Sequence, residues 1–217
     1  ESYGIRCFDT LPGFKYFAEK IRLWESGPSP FKFILGAEES FGYLYGTQSR
    51  DKDALIASLL IAEIALNAKL KGHTLIDTLH DLYKKHGLFL ERQHTVKFEE
   101  TKEGKDAMKK AMEKIIKSPP LTLHGKKVLT IGDLQKGCFT NIADNSQEKS
   151  PFPKTDMVIL HYEGGQSLMI RPSGTEPKIK IYLMLKKDLE KTFDSALEEV
   201  SREAQNIIDE LSDFLNN

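Results

Sequence analysis

Phe14, Phe17, Ile21 and Trp24 fall at i, i+3, i+7 and i+10, the spacing of one face of an amphipathic helix. Gly27-Pro28-Ser29-Pro30 ends that helix, and the apolar run Phe31 to Leu35 then reads as a short buried strand. From Asp51 to Lys71 the pattern predicts a second helix, so rich in Leu55, Ile56, Leu59, Leu60, Ile61 and Ile64 that burial on more than one side is expected. Gly72 stops it. Thr74, with Asp77 three residues on, opens a third helix that runs through Tyr83 and is closed by Gly87. One strand and helices on this scale describe part of an α/β domain. The pattern changes between Leu88 and Arg92, which sets the expected domain boundary and divides residues 1–90 from 91–217.

The second half alternates differently. Thr95 to Phe98 reads as a strand, and Gly104 to Lys117 as a helix on Ala107, Met108, Ala111, Met112, Ile115 and Ile116. Lys126 to Ile131 is a further strand, whereas Gln135 to Asp156 is polar, aperiodic and expected to be a long mobile loop. Met157 to His161 and Gln166 to Ile170 flank Glu163-Gly164-Gly165, a hairpin signal. Ile179, Ile181, Leu183 and Leu185 alternate with Lys180, Tyr182 and Met184, as in a half-buried strand. A long amphipathic helix on Leu189, Phe193, Leu197, Val200, Ala204, Ile207 and Leu211 closes the chain. The expected fold class is therefore a partial α/β domain followed by an α+β domain, an antiparallel sheet with helices on one face.

Composition narrows the function without naming it. The 217 residues suffice for one large or two small cores. With 31 basic and 32 acidic residues the net charge is −1, so no electrostatic footprint argues for nucleic acid as a partner. No apolar run approaches a membrane span; the longest, Ala54 to Leu66, is interrupted by Ser58 and Glu63. Cys7 and Cys138 lie far apart without a redox or zinc spacing, which points to reduced thiols and a cytoplasmic location. The six histidines form no i, i+4 pair, and nucleotide-binding glycine motifs are absent, so zinc, ATP and NAD have no support.

The chemistry sits in two clusters. Arg171-Pro172-Ser173-Gly174-Thr175-Glu176-Pro177-Lys178 lies between two strand-like runs. Arg offers a bidentate fork, Ser and Thr offer O–H donors, and Gly lets backbone N–H groups turn toward an anion. Those are the elements of a phosphate grip, although Pro, Ser and Gly equally furnish an ordinary surface turn. The other cluster, Gly36-Ala37-Glu38-Glu39-Ser40-Phe41-Gly42, follows the first apolar run, with carboxylates and a hydroxyl suited to sugar hydroxyls. Shortly after it, Arg50-Asp51-Lys52-Asp53 opens a helix, where Asp51 and Asp53 serve equally as capping residues.

Taken in order, Thr10-Leu11-Pro12-Gly13-Phe14-Lys15, the Gly36 to Gly42 run, Arg50-Asp51-Lys52-Asp53, Ile131-Gly132-Asp133-Leu134 and Arg171 to Pro177 resemble the α-D-phosphohexomutases, the family of phosphoglucomutases and phosphomannomutases. Ser-Gly-Thr-Glu-Pro is specific to that family, and the pieces span nearly the whole chain. The resemblance implies that Glu38-Glu39-Ser40 is the sugar-recognition loop of the third of four domains, and that Arg171 to Thr175 is the phosphate loop of the fourth. It also implies a fourth domain with a fold like that of the TATA-binding protein. Glu38 and Ser40 would bind sugar hydroxyls. Arg171, Ser173, Gly174 and Thr175 would hold a phosphate, with Lys178 or Lys180 adding charge; Lys180 stands where the family often has Arg.

The departures shape the expectation further. The family's phosphoserine loop and its Asp-x-Asp-x-Asp metal loop occur nowhere in these residues. Phe41-Gly42-Tyr43 stands where some members carry His, and this variant is more similar to the longer-chain phosphoglucomutases and phosphopentomutases. The resemblance thus implies the C-terminal part of a phosphoglucomutase-type isomerase, with the first two domains of the same chain missing. The intact enzyme would use Mg²⁺ on the missing loop, glucose 1,6-bisphosphate as activator and a phosphorylated sugar as substrate. The fragment would bind phosphosugar without catalysing. Phosphomannomutase or phosphopentomutase activity, or a non-catalytic phosphosugar-binding module, are the alternatives.

Overall fold

The structure, a computed structural model, describes residues 3–38, 41–189 and 192–216. Two compact units, Glu1–Leu79 and His80–Asn217, make up the chain. In the first, α1 (Phe14–Glu25) forms where the periodicity predicts it and buries Phe14 and Ile21 against Leu44. Phe14 and Phe17 meet edge to face at 4.9 Å. The strand expected at Phe31 to Leu35 is displaced: β1 (Leu35–Glu38) begins where that run ends, and pairs antiparallel with β2 (Gly42–Tyr45), a strand without a clear sequence signal. The ring of Phe31 joins instead those of Phe8 and Trp24, at 4.9 and 5.7 Å, so its apolar character serves a ring cluster rather than a pleat.

Asp53 caps α2 (Ala54–Leu70), its carboxylate accepting from the N–H groups of Leu55 and Ile56 at 3.0 and 3.1 Å. The helix is where it is expected, but its burial is not. Only Ala68 is fully buried, Ile56, Ala57 and Leu60 are half-buried, and Leu55, Leu59 and Leu70 are 81%, 67% and 76% exposed. Within this unit a two-stranded hairpin covers one stripe of the helix, and one stripe is all it can cover. Next, α3 (Leu75–His86) starts with the expected capping box: Thr74 Oγ1 accepts from Asp77 N, and Asp77 Oδ2 accepts from Thr74 N.

The second unit is an antiparallel sheet built from β3 (Leu88–Lys97), β4 (Thr122–Leu123), β5 (Lys126–Asp133), β6 (Cys138–Asn141), β7 (Gln147–Lys149), β8 (Val158–Tyr162), β9 (Gln166–Pro172) and β10 (Lys178–Lys187). The order across it is β3-β10-β9-β8-β5-β6-β7, with β4 paired to β5. Residue 90, the expected boundary, falls inside β3, whose charged middle (Glu91 to His94) hid the strand's first half. Gln135 to Asp156 is not one long loop, because it holds the β6–β7 hairpin. That hairpin lies at the sheet edge, is half-buried or exposed throughout, and therefore carries no apolar alternation.

Two helices complete this unit. Thr101 caps α4 (Lys102–Lys117), which buries Ala111, Met112 and Ile115; α5 (Phe193–Asn216) buries Val200, Ala204, Ile207 and Leu211. Both pack on a core that includes Ile179, Ile181, Leu183, Ile170 and Leu168, the inward residues of β9 and β10. The alternation that fills the core turns Arg171, Lys178 and Lys180 to the opposite face. An α/β piece followed by an α+β sheet domain is the fold class expected from the sequence.

Candidate functional site

Each cluster lies within its own unit, and each is described by itself. In the first unit Glu38 ends β1 directly opposite Gly42 on β2. Its side chain is only 9% exposed, and its Oε1 accepts from Lys52 Nζ at 2.6 Å. Lys52 also stands 5.6 Å from the ring centroid of Phe14, in cation–π range. A Cβ on Gly42 would meet Phe14 Cε2 at 2.5 Å and Glu38 Oε1 at 2.7 Å. Glycine here is therefore a matter of space: it lets the carboxylate lie against the hairpin. The nearby Arg50 pairs with Glu25 at 2.5 Å.

Ser40, with Glu39, lies outside the described residues. Beside it Phe41 takes φ 61° and is 88% exposed, a left-handed conformation that bulky residues seldom adopt. Glu38 is thus a paired and largely covered group. Lys52 is the residue that sequence reasoning passed over: its motif was visible, but the hairpin that brings it to Glu38 was not.

In the second unit the sequence Arg171 to Lys178 forms the turn between β9 and β10. Ser173 N donates to Lys178 O at 2.8 Å and Lys178 N to Glu176 O at 2.8 Å, which closes the turn. Inside it the N–H groups of Thr175 and Glu176 converge on Ser173 Oγ at 3.4 and 3.3 Å, and the Thr175 hydroxyl is 3.4 Å from the same oxygen. Two backbone donors and the Thr175 hydroxyl, gathered around the Ser173 hydroxyl, make a donor-rich turn that can hold an anion, as a nest does. At 3.3 and 3.4 Å these contacts are long, so they hold the Ser173 hydroxyl only weakly. Gly174 does not use the left-handed conformation; a Cβ at that position would meet nothing within 4 Å. Its contribution is open space on the outer side of the turn.

Charge gathers on the same face. Arg171 pairs in register with Lys180, and Lys178 with Lys97. Residues directly opposite in an antiparallel pair share a face, as do residues two apart along a strand. Arg171, Lys180, Lys178 and Lys97 therefore share the face away from the helices. Glu176, within the turn, accepts from Lys178 Nζ at 2.5 Å. That hydrogen bond, with the charges of Lys178, Lys180 and Lys97, holds the Glu176 carboxyl below its ordinary value. Among the described residues no group of three His, Cys, Asp or Glu side chains stands ready to hold a metal ion. Nor is any helix among them long and apolar enough to cross a membrane.

Comparison with known proteins converges on one family. Residues 1–86 match the family described as phosphoglucomutase/phosphomannomutase, alpha/beta/alpha domain III. A phosphoglucomutase of Staphylococcus epidermidis is 34% identical over 186 residues, covering 86% of this chain and 33% of the relative. A phosphoglucomutase of Staphylococcus haemolyticus is 32% identical over 208 residues, covering 96% of this chain and 36% of the relative. Among solved structures, pp63/parafusin from Paramecium, an exocytosis-sensitive phosphoprotein described as a phosphoglucomutase and captured in an open form, shares the fold. Its TM-score is 0.61 at 20% identity, over 98% of this chain and 34% of the other. The chain thus belongs to the phosphoglucomutase/phosphomannomutase family, the α-D-phosphohexomutases. It spans about one third of the length of the curated relatives it matches.

Proposed function

We propose that this chain supplies the sugar-recognition and phosphate-holding parts of a phosphoglucomutase-type isomerase, which interconverts a sugar 1-phosphate and 6-phosphate. The observation that carries this reading is the β9–β10 turn, whose N–H groups, hydroxyls and surrounding cations suit a phosphate dianion. Arg171 grips phosphate oxygens with its fork, Ser173 and Thr175 donate hydroxyls, and Gly174 leaves the approach clear. Lys178 and Lys180 add charge. Glu38 accepts from sugar hydroxyls with Ser40 beside it, and Lys52 orients the Glu38 carboxylate while offering its own ammonium to the ligand.

In this reaction a phosphoserine donates to the substrate, and the bisphosphorylated sugar, glucose 1,6-bisphosphate in the glucose case, turns over before the serine is rephosphorylated. The sugar then binds in two orientations, so a fixed phosphate site and a separate hydroxyl site are what the chemistry requires. The serine and the Mg²⁺ ligands would come from residues beyond these 217. Mg²⁺ would supply charge stabilisation during transfer. A cytoplasmic setting accords with the two unpaired cysteines, Cys7 and Cys138. Mannose or pentose phosphates would use the same groups, because one hydroxyl's configuration is read by geometry. Assaying the full-length protein on glucose, mannose and ribose 1-phosphates tests the assignment. Turnover of glucose 1-phosphate supports it, and inactivity on all three would overturn it.

A further inference from the structure

The strand register that fills the core also creates an electrostatic problem on the outer face. Lys97 and Lys178 face each other directly across β3 and β10, and Lys180 follows Lys178 on the same side with Arg171 opposite it. Like charges directly opposed on an antiparallel pair repel one another. The edge of β3 is also tied to the turn, since Phe98 N donates to Pro177 O at 2.8 Å, so Lys97 cannot drift away with a loose strand end. Glu176 relieves part of this repulsion, bonded to Lys178 Nζ at 2.5 Å. Glu176 is 55% exposed along its side chain and Lys178 24% exposed, so the acid is the freer of the two.

We propose that Glu176 is a built-in competitor for the anion site: its carboxylate offsets part of the charge of the Lys97–Lys178–Lys180 group until a phosphate takes over Lys178, and Lys97 on the neighbouring strand is a fourth cation of that site, beside Arg171, Lys178 and Lys180. This deepens the reading of the β9–β10 turn as a phosphate site and rests on it. The consequence is selectivity by charge. A ligand must offer Lys178 more than a carboxylate does, so a phosphate dianion displaces Glu176 while a singly charged ligand gains little. The lowered carboxyl of Glu176, caused first by Lys178 and then by the charges of Lys180 and Lys97, accords with this arrangement.

Inorganic phosphate titrated into the 217-residue chain at low ionic strength tests the idea, with Glu176→Gln, Lys97→Gln and Arg171→Ala beside the wild type. Glu176→Gln is expected to tighten phosphate binding by about two- to fivefold and Lys97→Gln to weaken it by a similar factor, the scale of one exposed ion pair. The carboxyl ¹³C titration of Glu176 gives an independent readout: saturating sulfate, which unlike phosphate stays a dianion at the acid pH where this carboxyl titrates, should move its midpoint upward as Lys178 leaves it. Unchanged or weaker binding in Glu176→Gln, or an unmoved midpoint, overturns the competitor role while leaving the phosphate site in place, provided that Arg171→Ala still weakens binding. If the wild type shows no saturable response, or Arg171→Ala binds equally well, both the site and the competitor fail.

Discussion

Lys52 Nζ lies 2.6 Å from Glu38 Oε1, bringing the start of α2 to the end of β1. The acid is almost covered and the lysine half exposed, so one end of the pair is buried in the fold and the other reaches solvent. Glu38→Gln is therefore expected to cost about 1 kcal/mol of stability, with Lys52→Gln costing no more, because an ion pair open to solvent on one side sits between surface and buried values. Thermal unfolding of the two variants and their double mutant measures the coupling. Additive losses would show that the pair contributes nothing.

Gly42→Ala acts on the same carboxylate through space. The new methyl would overlap Phe14 Cε2 and Glu38 Oε1, so destabilisation of about 1–3 kcal/mol is expected, the cost of overpacking. Phe14→Leu in the Gly42→Ala background should recover part of that loss in a denaturant melt, because it removes one of the two clashing groups.

Tyr162 predicts alkaline behaviour. Its hydroxyl is buried without a hydrogen-bond partner among the described residues, and burial, with the Glu203 charge, pushes its ionisation far above the ordinary value of 10.0. The unfolded chain would release this proton near pH 10 and the folded chain would not. The tyrosine's contribution is thus complete below pH 10 and falls as the pH rises through and beyond it. Tyr162→Phe should leave stability at pH 7 unchanged or slightly higher, since an unpaired hydroxyl is removed, and should flatten the loss between pH 10 and 11. Equilibrium unfolding at the two pH values checks both parts.

The β9–β10 turn predicts a graded series. Arg171→Ala should weaken sugar-phosphate binding about ten- to a hundredfold, and Arg171→Lys should recover only part, because the fork is lost while the charge remains. Ser173→Ala, which removes a hydroxyl and the present acceptor of two N–H groups, should have the smaller effect. Calorimetry with glucose 1-phosphate orders the three variants.

Much of this was legible in the sequence, for reasons that differ by element. The Glu163-Gly164-Gly165 turn, the alternation of Ile179 to Leu185 and the capping pair Thr74–Asp77 are local signals, and local geometry obeys them. The Arg171 to Lys178 turn was legible because its donors are contiguous. What was missed depends on contacts between distant residues. β2 alternates in burial, but its exposed positions are Tyr43 and Tyr45, so its sequence shows no polar–apolar pattern; the β6–β7 hairpin is too exposed to alternate, and the Glu38–Lys52 pair exists only through the β1–β2 hairpin. The exposure of α2 was also hidden, since apolar content gives a helix's capacity for burial and not the surface available to it. The opposition of Lys97 and Lys178 needed the strand register, which pattern alone does not give.

The central claim is that the turn from Arg171 to Lys178 holds the phosphate of a sugar phosphate. Amide NMR of the chain during titration with glucose 1-phosphate tests it residue by residue. Saturable shifts are expected at the N–H groups of Ser173, Thr175 and Glu176, with the same shifts lost in Arg171→Ala. Shifts absent from this turn, or persisting with equal affinity in Arg171→Ala, would contradict the claim.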